Sequence, residues 1–578
     1  MLDSAVRSRL ANTNFPRRLV CPSCGAALAP RACSCPAATQ LAYSNGIARV
    51  ISKEPALDPT ADARLARIVE LAGTLPWRHA VEQELGSTPF VRQLITGFGP
   101  EIIHAFPWSR IKDVLDIGAG MGGISGPMAH YARSVAAVEP DPQHAEFLRI
   151  RAEQDGLDLF PIIADCLMPP FADGSFDLVT VDGVFERLGQ GVEGDPMQIH
   201  RDFLARALRL LRPDGYLYIG AKTRLGLGKL LGRPDGSGLA FTSLMPRSVA
   251  DRYCRWRFKQ AGGGKQYHPG YRTYSYTPST YQRMVADAGF GAVMVQGVSN
   301  TQMFRKAYYD VDNHDLRKTV LGLVEPPLSL AGRIKRAVQN VEAFGKPLEN
   351  EVAIFAAKGG APEQLLWNGF SGNHTAGQIN TYGKVLAVCV SGEGIQSVAE
   401  AGKFKLVRER MAEGFAVLKR AEAACGRETT AWPLRWSRPL RSHIYNGRQF
   451  HHYELVDGRE LSGIVLSGAQ HREAALGLID TMLAGYPEFC RRLSVANGYE
   501  AAANPLSGLV RDLRAVWAGG RLMAALERAV EHAHARGWQT SIIHGDLSGN
   551  NVMVRPDRSM VIKPQSSAAC RSRLSNTP

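Results

Sequence analysis

The 578-residue chain lacks any run of 18 or more apolar residues, so no segment is predicted to span a membrane. Its first twenty residues contain four arginines but no apolar stretch between them, which argues against a secretory signal. Cysteines are few, and four of the ten fall between Cys21 and Cys35. A reduced, cytoplasmic protein with one local metal cluster is therefore the simpler expectation.

The composition is otherwise ordinary for a soluble globular protein, with 45% hydrophobic and 21% charged residues. At about 150 residues per domain, the length predicts three or four structural units. The net charge of +14 indicates anionic partners. It leaves open nucleic acid, a phosphorylated glycan and peripheral association with a membrane surface.

A glycine-rich turn between two apolar runs is the most informative motif. The first run, Val114–Ile117, contains Asp116 and leads directly into the turn residues Gly118, Ala119 and Gly120. Because glycine has no Cβ, such a turn lets a ligand approach the backbone N–H groups. The second run, Ser134–Val138, ends on Glu139, whose carboxylate is placed to accept hydrogen bonds from ribose hydroxyls. The pattern predicts a βαβ unit that holds a nucleoside.

Asp116 separates this motif from a dinucleotide site, although Gly118, Gly120 and Gly123 satisfy the G-x-G-x-x-G spacing. A dinucleotide fingerprint is normally apolar at this position, whereas a carboxylate suits a cation such as an amino-acid ammonium group. The run resembles the first motif of the class I S-adenosylmethionine-dependent methyltransferases. The resemblance implies S-adenosylmethionine as the cofactor.

Later segments resemble the same family in order, over residues 110–222. Ile162–Cys166 resembles the third strand and its acidic turn, which implies Asp165 at the adenine amino group and Cys166 in the same pocket. Phe176–Val181 resembles the fourth strand, and residues 208–217 resemble the helix end, Pro-Gly turn and fifth strand. The implied fold is α/β, with a Rossmann-like methyltransferase sheet.

Residues Val184–Leu188 stand where many members of the family have a Leu-Glu-His-like turn beside the transferred methyl group. Here Arg187 replaces that histidine, so the turn is not expected to supply a histidine base. An alcohol acceptor would still benefit from a general base. The unranked candidates are Asp182, Glu186, His200 and His268. No Asn-Pro-Pro-Tyr-type motif follows the fourth strand, which disfavours methylation of amino groups on DNA bases.

Residues 222–277 are rich in glycine, arginine and aromatic residues and follow the predicted fifth strand. An insertion there should lie over the carboxyl ends of the strands, where α/β sheets bind ligands. We interpret it as an acceptor lid, whose arginines and tyrosines suit phosphate or carboxylate groups and sugar faces. Single-stranded nucleic acid and a merely solvated loop are alternatives. A second insertion at 310–350 precedes Glu351–Lys358, which resembles the last, antiparallel strand of the methyltransferase sheet.

The amino-terminal cysteines form a knuckle pattern. Cys21, Cys24, Cys33 and Cys35 could complete a closed tetrahedral zinc site. With residues 42–47, the segment 1–54 resembles the small zinc ribbons found ahead of some methyltransferases. A degenerate ribbon with free thiols is the alternative. Residues 55–110 are predicted to be a helical lead-in to a methyltransferase domain at 111–358.

Residues 544–554 resemble the catalytic loop of the aminoglycoside-phosphotransferase branch of the kinase-like fold. The resemblance implies Asp546 as the base and Asn551 as a magnesium ligand. Lys563 stands where a metal-binding aspartate is expected, and the chain stops soon afterwards. We therefore expect a linker at 359–361 and an incomplete, inactive kinase-like domain at 362–578, without productive binding of ATP and Mg²⁺.

The preferred hypothesis is a methyltransferase that acts on an oxygen of a cell-surface glycan precursor or a related anionic small molecule. A methyltransferase with a basic lid joined to a kinase-like domain resembles the bifunctional proteins that cap or decorate bacterial surface polysaccharides. One alternative is an RNA methyltransferase, since zinc ribbons also precede rRNA enzymes. The others are a bifunctional methyltransferase-kinase and a kinase-like docking module.

Overall fold

A computed structural model gives the structure of part of the chain. It describes residues 18–28, 33–36, 39–51, 63–88, 91, 94–95, 101–190, 192–260, 270–300, 306–324, 337, 341, 346–359, 375–380, 384–391, 394–403, 405–425, 434–445, 448–454, 456, 459–460, 552–554 and 560–562. The chain divides into two compact units. The first comprises Met1–Tyr382 with Ala387–Ile395, and the second comprises Gly383–Leu386 with Gln396–Pro578. The domain boundaries proposed from the sequence, including the linker at 359–361, stay a prediction.

The first unit is built on a mixed β-sheet. Its strands are β1 (Gln40–Ser44), β2 (Ile47–Ile51), β3 (Asp113–Ile117), β4 (Ser134–Val138), β5 (Leu159–Ile163), β6 (Phe176–Asp182), β7 (Leu211–Lys222), β8 (Ala292–Asn300), β9 (Lys306–Asp310), β10 (Glu351–Ala357) and β11 (Thr375–Asn380). Their spatial order is β1-β2-β5-β4-β3-β6-β7-β10-β8-β9-β11. Neighbours from β2 to β7 are parallel. Strand β10 runs antiparallel between β7 and β8, which confirms the antiparallel strand predicted at Glu351–Lys358.

Helices cover this sheet. They are α1 (Ala63–Ala72), α2 (Trp77–Leu85), α3 (Ser125–Met128), α4 (Pro142–Asp155), α5 (Pro196–Leu210), α6 (Leu227–Leu230), α7 (Arg247–Gln260), α8 (Pro278–Asp287) and α9 (His314–Val324). Asp141 caps α4 by accepting a hydrogen bond from the N–H of Gln143, and Thr277 caps α8 by accepting one from the N–H of Thr280. Strands β3 and β4 are buried along their whole length, as parallel strands covered on both faces must be.

Strand β7 begins earlier than the sequence indicated. Residues 208–217 were expected to hold a helix end and a Pro-Gly turn before the fifth strand, but α5 ends at Leu210 and β7 starts at Leu211. Its register with β6 shifts between the pair Phe176–Leu211 and the pair Leu178–Tyr216. The predicted turn is therefore an irregularity within the strand, which accommodates Pro213 because proline cannot donate to the ladder.

The described amino-terminal residues pack into the first unit. Strands β1 and β2 form a hairpin whose turn residues, Asn45 and Gly46, have φ of 50° and 80°, as a two-residue hairpin turn requires. Strand β2 then pairs in parallel with β5, Ala48 opposite Ile162. Leu19 and Leu28 belong to the same buried core as the strands. The cysteine segment is thus integrated with the sheet, whereas the sequence suggested a separate small ribbon.

A buried carboxylate holds the amino end of β3. Asp113, 1% exposed, accepts hydrogen bonds from Arg18 at 3.1 Å, Arg133 at 2.7 Å and Arg212 at 2.7 Å. Burial alone would raise the pKa of Asp113, but the hydrogen bonds from the three guanidinium groups outweigh it and lower the pKa to about 2. This cluster ties the amino-terminal segment to the sheet at the edge opposite the glycine turn.

The second unit contains helix α10 (Lys405–Cys425) and strands β15 (Pro439–Tyr445) and β16 (Arg448–Tyr453), while β12 (Lys384–Ser391) and β13 (Gly394–Gly402) fall at the division between the units. A small sheet has the order β14 (Leu434–Trp436), β19 (Met560–Ile562), β18 (Val552–Val554) and β17 (Arg459–Glu460). Asp546, Asn551 and Lys563 lie outside the described residues.

Nowhere in the described part of the chain does a helix combine the length and apolarity needed to cross a membrane.

Candidate active site

The glycine turn after β3 has the backbone that only glycine adopts readily. Gly118, Gly120 and Gly122 have φ of 73°, 51° and 76°. A Cβ on Gly118 would lie 2.5 Å from Cγ2 of Val184. The N–H groups of Gly118 and Ala119 donate to the carbonyl oxygen of Val138 at 2.8 and 3.2 Å, so the turn is fastened to the end of β4.

Glu139 lies directly against this turn. Its Oε2 accepts a hydrogen bond from the N–H of Gly120 at 2.8 Å, and its Oε1 accepts one from the N–H of Asp141 at 3.2 Å. The residue is 8% exposed, and burial raises the pKa of its carboxyl group. The structure therefore brings together the two halves of the motif, which are about twenty residues apart in the sequence.

Asp116 is buried beneath the turn at 2% exposure. Its Oδ2 accepts a hydrogen bond from Ser125 Oγ at 2.5 Å, and its Oδ1 accepts one from Thr180 Oγ1 at 2.8 Å. Burial raises the pKa of Asp116 to about 6, and the nearby charges of Asp182 and Glu139 add to the effect. Ser125 and Thr180 were not foreseen as its partners, and the contact with an ammonium group stays a prediction.

The other two proposed cofactor residues follow β5 at the same edge. Asp165 is exposed, and its Oδ1 accepts a hydrogen bond from the N–H of Leu167 at 2.9 Å. Cys166 is buried, and burial raises the pKa of its thiol well above the ordinary value, so it stays neutral. The carboxyl ends of β3, β4, β5 and β6 thus place the predicted residues along one edge of the sheet, where α/β folds bind ligands.

Two carboxylates near this edge remain candidates for the general base. Asp182, the last residue of β6, accepts a hydrogen bond from the hydroxyl of Tyr218 at 3.2 Å. Glu186, 4% exposed, lies in a short 3₁₀ turn at Phe185–Arg187. Its Oε2 has no hydrogen-bond partner among the described residues, and burial raises the pKa of its carboxyl group.

His200 lies in the core. It is fully buried on α5, with its ring 4.7 Å from that of Phe185 and its Nδ1 2.8 Å from the hydroxyl oxygen of Tyr276. Burial lowers the pKa of His200 to about 4. The residue occupies the same inward face of α5 as Phe203 and Leu204, so this geometry argues against His200 as the base that meets an acceptor. His268 lies outside the described residues.

The described part of the lid, residues 222–260 and 270–277, is packed against the domain. The N–H of Thr223 donates to the carbonyl of Asn350 at 3.0 Å, and Oδ1 of Asn350 accepts from the N–H of Gly228 at 2.8 Å. Arg272 donates to the carbonyl oxygens of Gly189 and Gly194 at 3.1 and 2.6 Å. These contacts disfavour the solvated-loop alternative for this part of the lid.

The four amino-terminal cysteines converge. Their Sγ atoms all lie within 4.8 Å of one another, with Cys21 and Cys35 3.7 Å apart and Cys24 and Cys33 3.0 Å apart. A tetrahedral zinc ion with Zn–S distances of about 2.3 Å separates its sulfurs by about 3.8 Å. The cluster therefore fits the dimensions of a zinc site.

Comparison with known proteins gives a family match for part of the chain. Residues 115–219 match the family described as "Methyltransferase domain". Over 113 residues the chain is 31% identical to the ubiquinone biosynthesis O-methyltransferase of Caulobacter vibrioides, a match that spans 19% of this chain and 41% of that protein.

Solved structures that resemble the chain include an S-adenosylmethionine-dependent methyltransferase from Archaeoglobus fulgidus, with 13% identity and a TM-score of 0.28 over 48% of this chain and 99% of that one. Another is the YcgJ protein of Bacillus subtilis, with 16% identity and a TM-score of 0.26 over 46% of this chain and 99% of that one. Residues 115–219, which include the site at the carboxyl ends of β3–β6, therefore match a methyltransferase domain, while the chain spans less than half the length of the curated relative.

Proposed function

We propose that the first unit transfers a methyl group from S-adenosylmethionine to an oxygen atom of an acceptor held beneath the lid. The acceptor is a cell-surface glycan precursor or a related anionic small molecule. The observation that supports the proposal is the Gly120–Glu139 hydrogen bond, because it holds against the glycine turn the carboxylate that we propose binds the ribose. The O-methyltransferase among the relatives favours an oxygen acceptor.

In this proposal the cofactor pocket is formed by the edge residues of β3–β5, namely Asp116, Gly118, Ala119, Gly120, Glu139, Asp165 and Cys166. Glu139 binds the ribose hydroxyls and Asp165 binds the adenine amino group. Asp116 supplies negative charge to the ammonium end, and Ser125 and Thr180 hold its carboxylate in position.

The cofactor supplies an electrophilic methyl group on a sulfonium ion. When bound, it would give that methyl group to the acceptor oxygen, and its sulfur would keep the electrons of the broken carbon–sulfur bond. The hydroxyl proton passes to a carboxylate, for which Glu186 is the stronger candidate because its Oε2 has no partner among the described residues. Asp182 is the second candidate. Holding oxygen and methyl in line can supply about 7–11 kcal/mol of the barrier.

The cysteine cluster is proposed to hold one structural zinc ion. Four sulfur ligands close the coordination sphere, so the metal would brace the amino-terminal segment and leave no position open for a reactant. In the described part of this segment the knuckle resembles a zinc ribbon, whereas the hairpin belongs to the large sheet. A methyltransferase domain at 111–358, with a kinase-like, catalytically inactive domain at 362–578, completes the proposed organisation.

The experiment that tests the methyltransferase proposal combines binding with product analysis. Calorimetric titration of the full chain with S-adenosylhomocysteine should show one site, and a strain lacking the protein should lose a methyl group from its surface glycans by mass spectrometry. Absence of binding would contradict the cofactor assignment, whereas binding with an unchanged glycan profile would contradict the acceptor. An RNA acceptor would instead show an affinity that falls steeply with salt.

A further inference from the structure

Two cations in the described part of the lid have no carboxylate within ion-pair distance among the residues that the structure describes. Lys229 on α6 is 6% exposed, and its Nζ donates to Ser275 Oγ at 3.0 Å. Arg247, at the start of α7, donates from Nη2 to the carbonyl oxygen of the same Ser275 at 2.7 Å. Within the described ranges, neither forms an ion pair within 4.0 Å. Both cations therefore converge on Ser275, and their hydrogen bonds to described residues go to neutral oxygens.

Unpartnered donors lie around the same point. Arg247 Nη1 and Ser243 Oγ are buried and have no hydrogen-bond partner among the described residues. Arg224 links Ser243 to this region, because its N–H donates to the carbonyl of Tyr276 at 2.9 Å and its Nε to the carbonyl of Ser243 at 3.0 Å. The guanidinium carbon of Arg247 lies 3.9 Å from the ring centroid of Tyr274. The packing thus holds these donors in fixed positions.

The balance of charge here is positive. Burying a cation without an anion is costly, and a buried donor without an acceptor costs a further desolvation penalty. Asp235, the carboxylate that attracts Lys229 most strongly, is engaged by the hydroxyls of Tyr271 at 2.9 Å and Ser237 at 2.6 Å. A ligand that brings oxygen acceptors and negative charge would satisfy Lys229, Arg247 and Ser243 together.

The cluster lies on the acceptor side of the proposed cofactor pocket. Val184 packs against the α-carbon of Gly118, and Glu186 follows two residues later. The charge of Glu186 interacts with that of Lys229. Glu186 therefore lies two residues from the side chain that packs on the glycine turn and close enough to Lys229 for their charges to interact.

We propose that Lys229, Arg247 and Ser243 form an oxyanion subsite that binds a phosphate or carboxylate group of the acceptor. The inference rests on the proposed methyltransferase function and specifies its substrate class. The anionic group anchors the acceptor in the lid, while its hydroxyl lies toward Glu186 and the transferred methyl group.

The test uses the full chain saturated with S-adenosylhomocysteine, and calorimetry with three probes. Glucose 1-phosphate and glucuronate carry the two forms of oxyanion, and methyl glucoside is the neutral control. At least one anionic probe should bind with an affinity roughly tenfold or more above that of the neutral sugar. Whichever anion binds more tightly shows whether the subsite prefers a phosphate or a carboxylate group. Lys229→Gln and Arg247→Gln should each weaken that binding roughly tenfold or more. Arg252→Gln, at an exposed position of the same helix, should leave it unchanged.

Ser243→Ala provides a variant that removes only one hydroxyl and should weaken the anionic probe severalfold, even if a variant of Lys229 fails to fold. Equal affinity for neutral and anionic sugars, no binding of either anion, or variants that bind like the wild type would overturn the subsite. Binding of S-adenosylhomocysteine is measured separately on every variant. Its absence in the wild type would contradict the proposed function, and an anion bound at these residues would still establish the subsite.

Discussion

The backbone N–H of Gly120 donates a hydrogen bond to Oε2 of Glu139 across 2.8 Å. Gly120 belongs to the turn after β3, and Glu139 directly follows β4, so one contact joins the carboxyl ends of two neighbouring parallel strands. Because the carboxylate also accepts from the N–H of Asp141, both of its oxygens are oriented before any ligand arrives. Such preorganisation reduces the cost of ordering the site on binding.

Glu139→Ala should weaken binding of S-adenosylmethionine. It removes a charged hydrogen-bond partner worth about 1.5–3 kcal/mol, which corresponds to a loss of affinity of roughly tenfold to a hundredfold. Asp116→Ala should weaken binding by a similar factor, and calorimetry with S-adenosylhomocysteine measures both. Glu153→Ala is the control, because Glu153 lies on α4 and pairs only with Arg149 on the described surface. Unchanged affinity in both site variants would rule out the assigned pocket.

Because of Asp113, the free energy of unfolding should depend on pH in the acid range. Its folded pKa of about 2 lies below its ordinary value of 3.8, so its contribution is complete above pH 4 and is lost as pH falls toward 2. The shift corresponds to about 2 kcal/mol. Asp113→Asn should therefore lower the free energy of unfolding by about that amount at pH 6 and by less at pH 3, measured by urea denaturation. Asp173→Asn, exposed on the surface, should show no such trend.

The local parts of the site were predictable because they depend on short-range patterns. A glycine turn after an apolar run and an acidic residue after the next run specify where Gly118 and Glu139 lie along their strands. The partners of Asp116 were not predictable, since Ser125 and Thr180 reach it only after a helix and a strand pack together. The burial of His200 depends on which face of α5 meets the sheet, and a single histidine does not indicate this.

One zinc ion per chain is expected for the cluster of Cys21, Cys24, Cys33 and Cys35. The double variant Cys21→Ser with Cys24→Ser should lose it, because two thiolates cannot close a tetrahedral site. Metal analysis of protein purified without chelator makes the measurement, with Cys254→Ser, a buried cysteine of α7, as the control that keeps its zinc. Wild-type protein with less than roughly a tenth of an equivalent would contradict a closed four-ligand site.

The carboxyl-terminal segment should not transfer phosphate. Phosphoryl transfer needs magnesium to bridge the nucleotide phosphates, and a lysine at position 563 opposes a metal there by its charge. Lys563→Asp alone should leave the protein inactive. A phosphotransfer assay with radiolabelled ATP, on the intact chain and on Asp546→Ala, makes the test. Turnover that disappears in the Asp546→Ala variant would prove the segment an active kinase.

The buried charge of Lys229 should lower the free energy of unfolding at neutral pH. Burial lowers its pKa from 10.5 to about 8, while the charges of Asp235 and Glu186 oppose this and those of Lys222 and Arg247 reinforce it. Between pH 8 and 10.5 the unfolded chain binds more protons at this residue than the folded chain, so wild-type stability rises with pH across that window. Lys229→Met should therefore be more stable than the wild type at pH 7, although it binds the anionic sugar less tightly.

The stability advantage of Lys229→Met should narrow by about 2 kcal/mol between pH 7 and pH 9.5, measured by urea denaturation of both proteins. Arg252→Met serves as the matched control, since Arg252 is exposed and its replacement should give a difference that does not change with pH. A Lys229→Met protein that is less stable than the wild type by an amount independent of pH would mean that Lys229 is a packing residue. If Lys229→Met is more stable than the wild type by an amount that decreases between pH 7 and pH 9.5, and also binds the anion more weakly, then the buried charge of Lys229 serves ligand binding at the expense of stability.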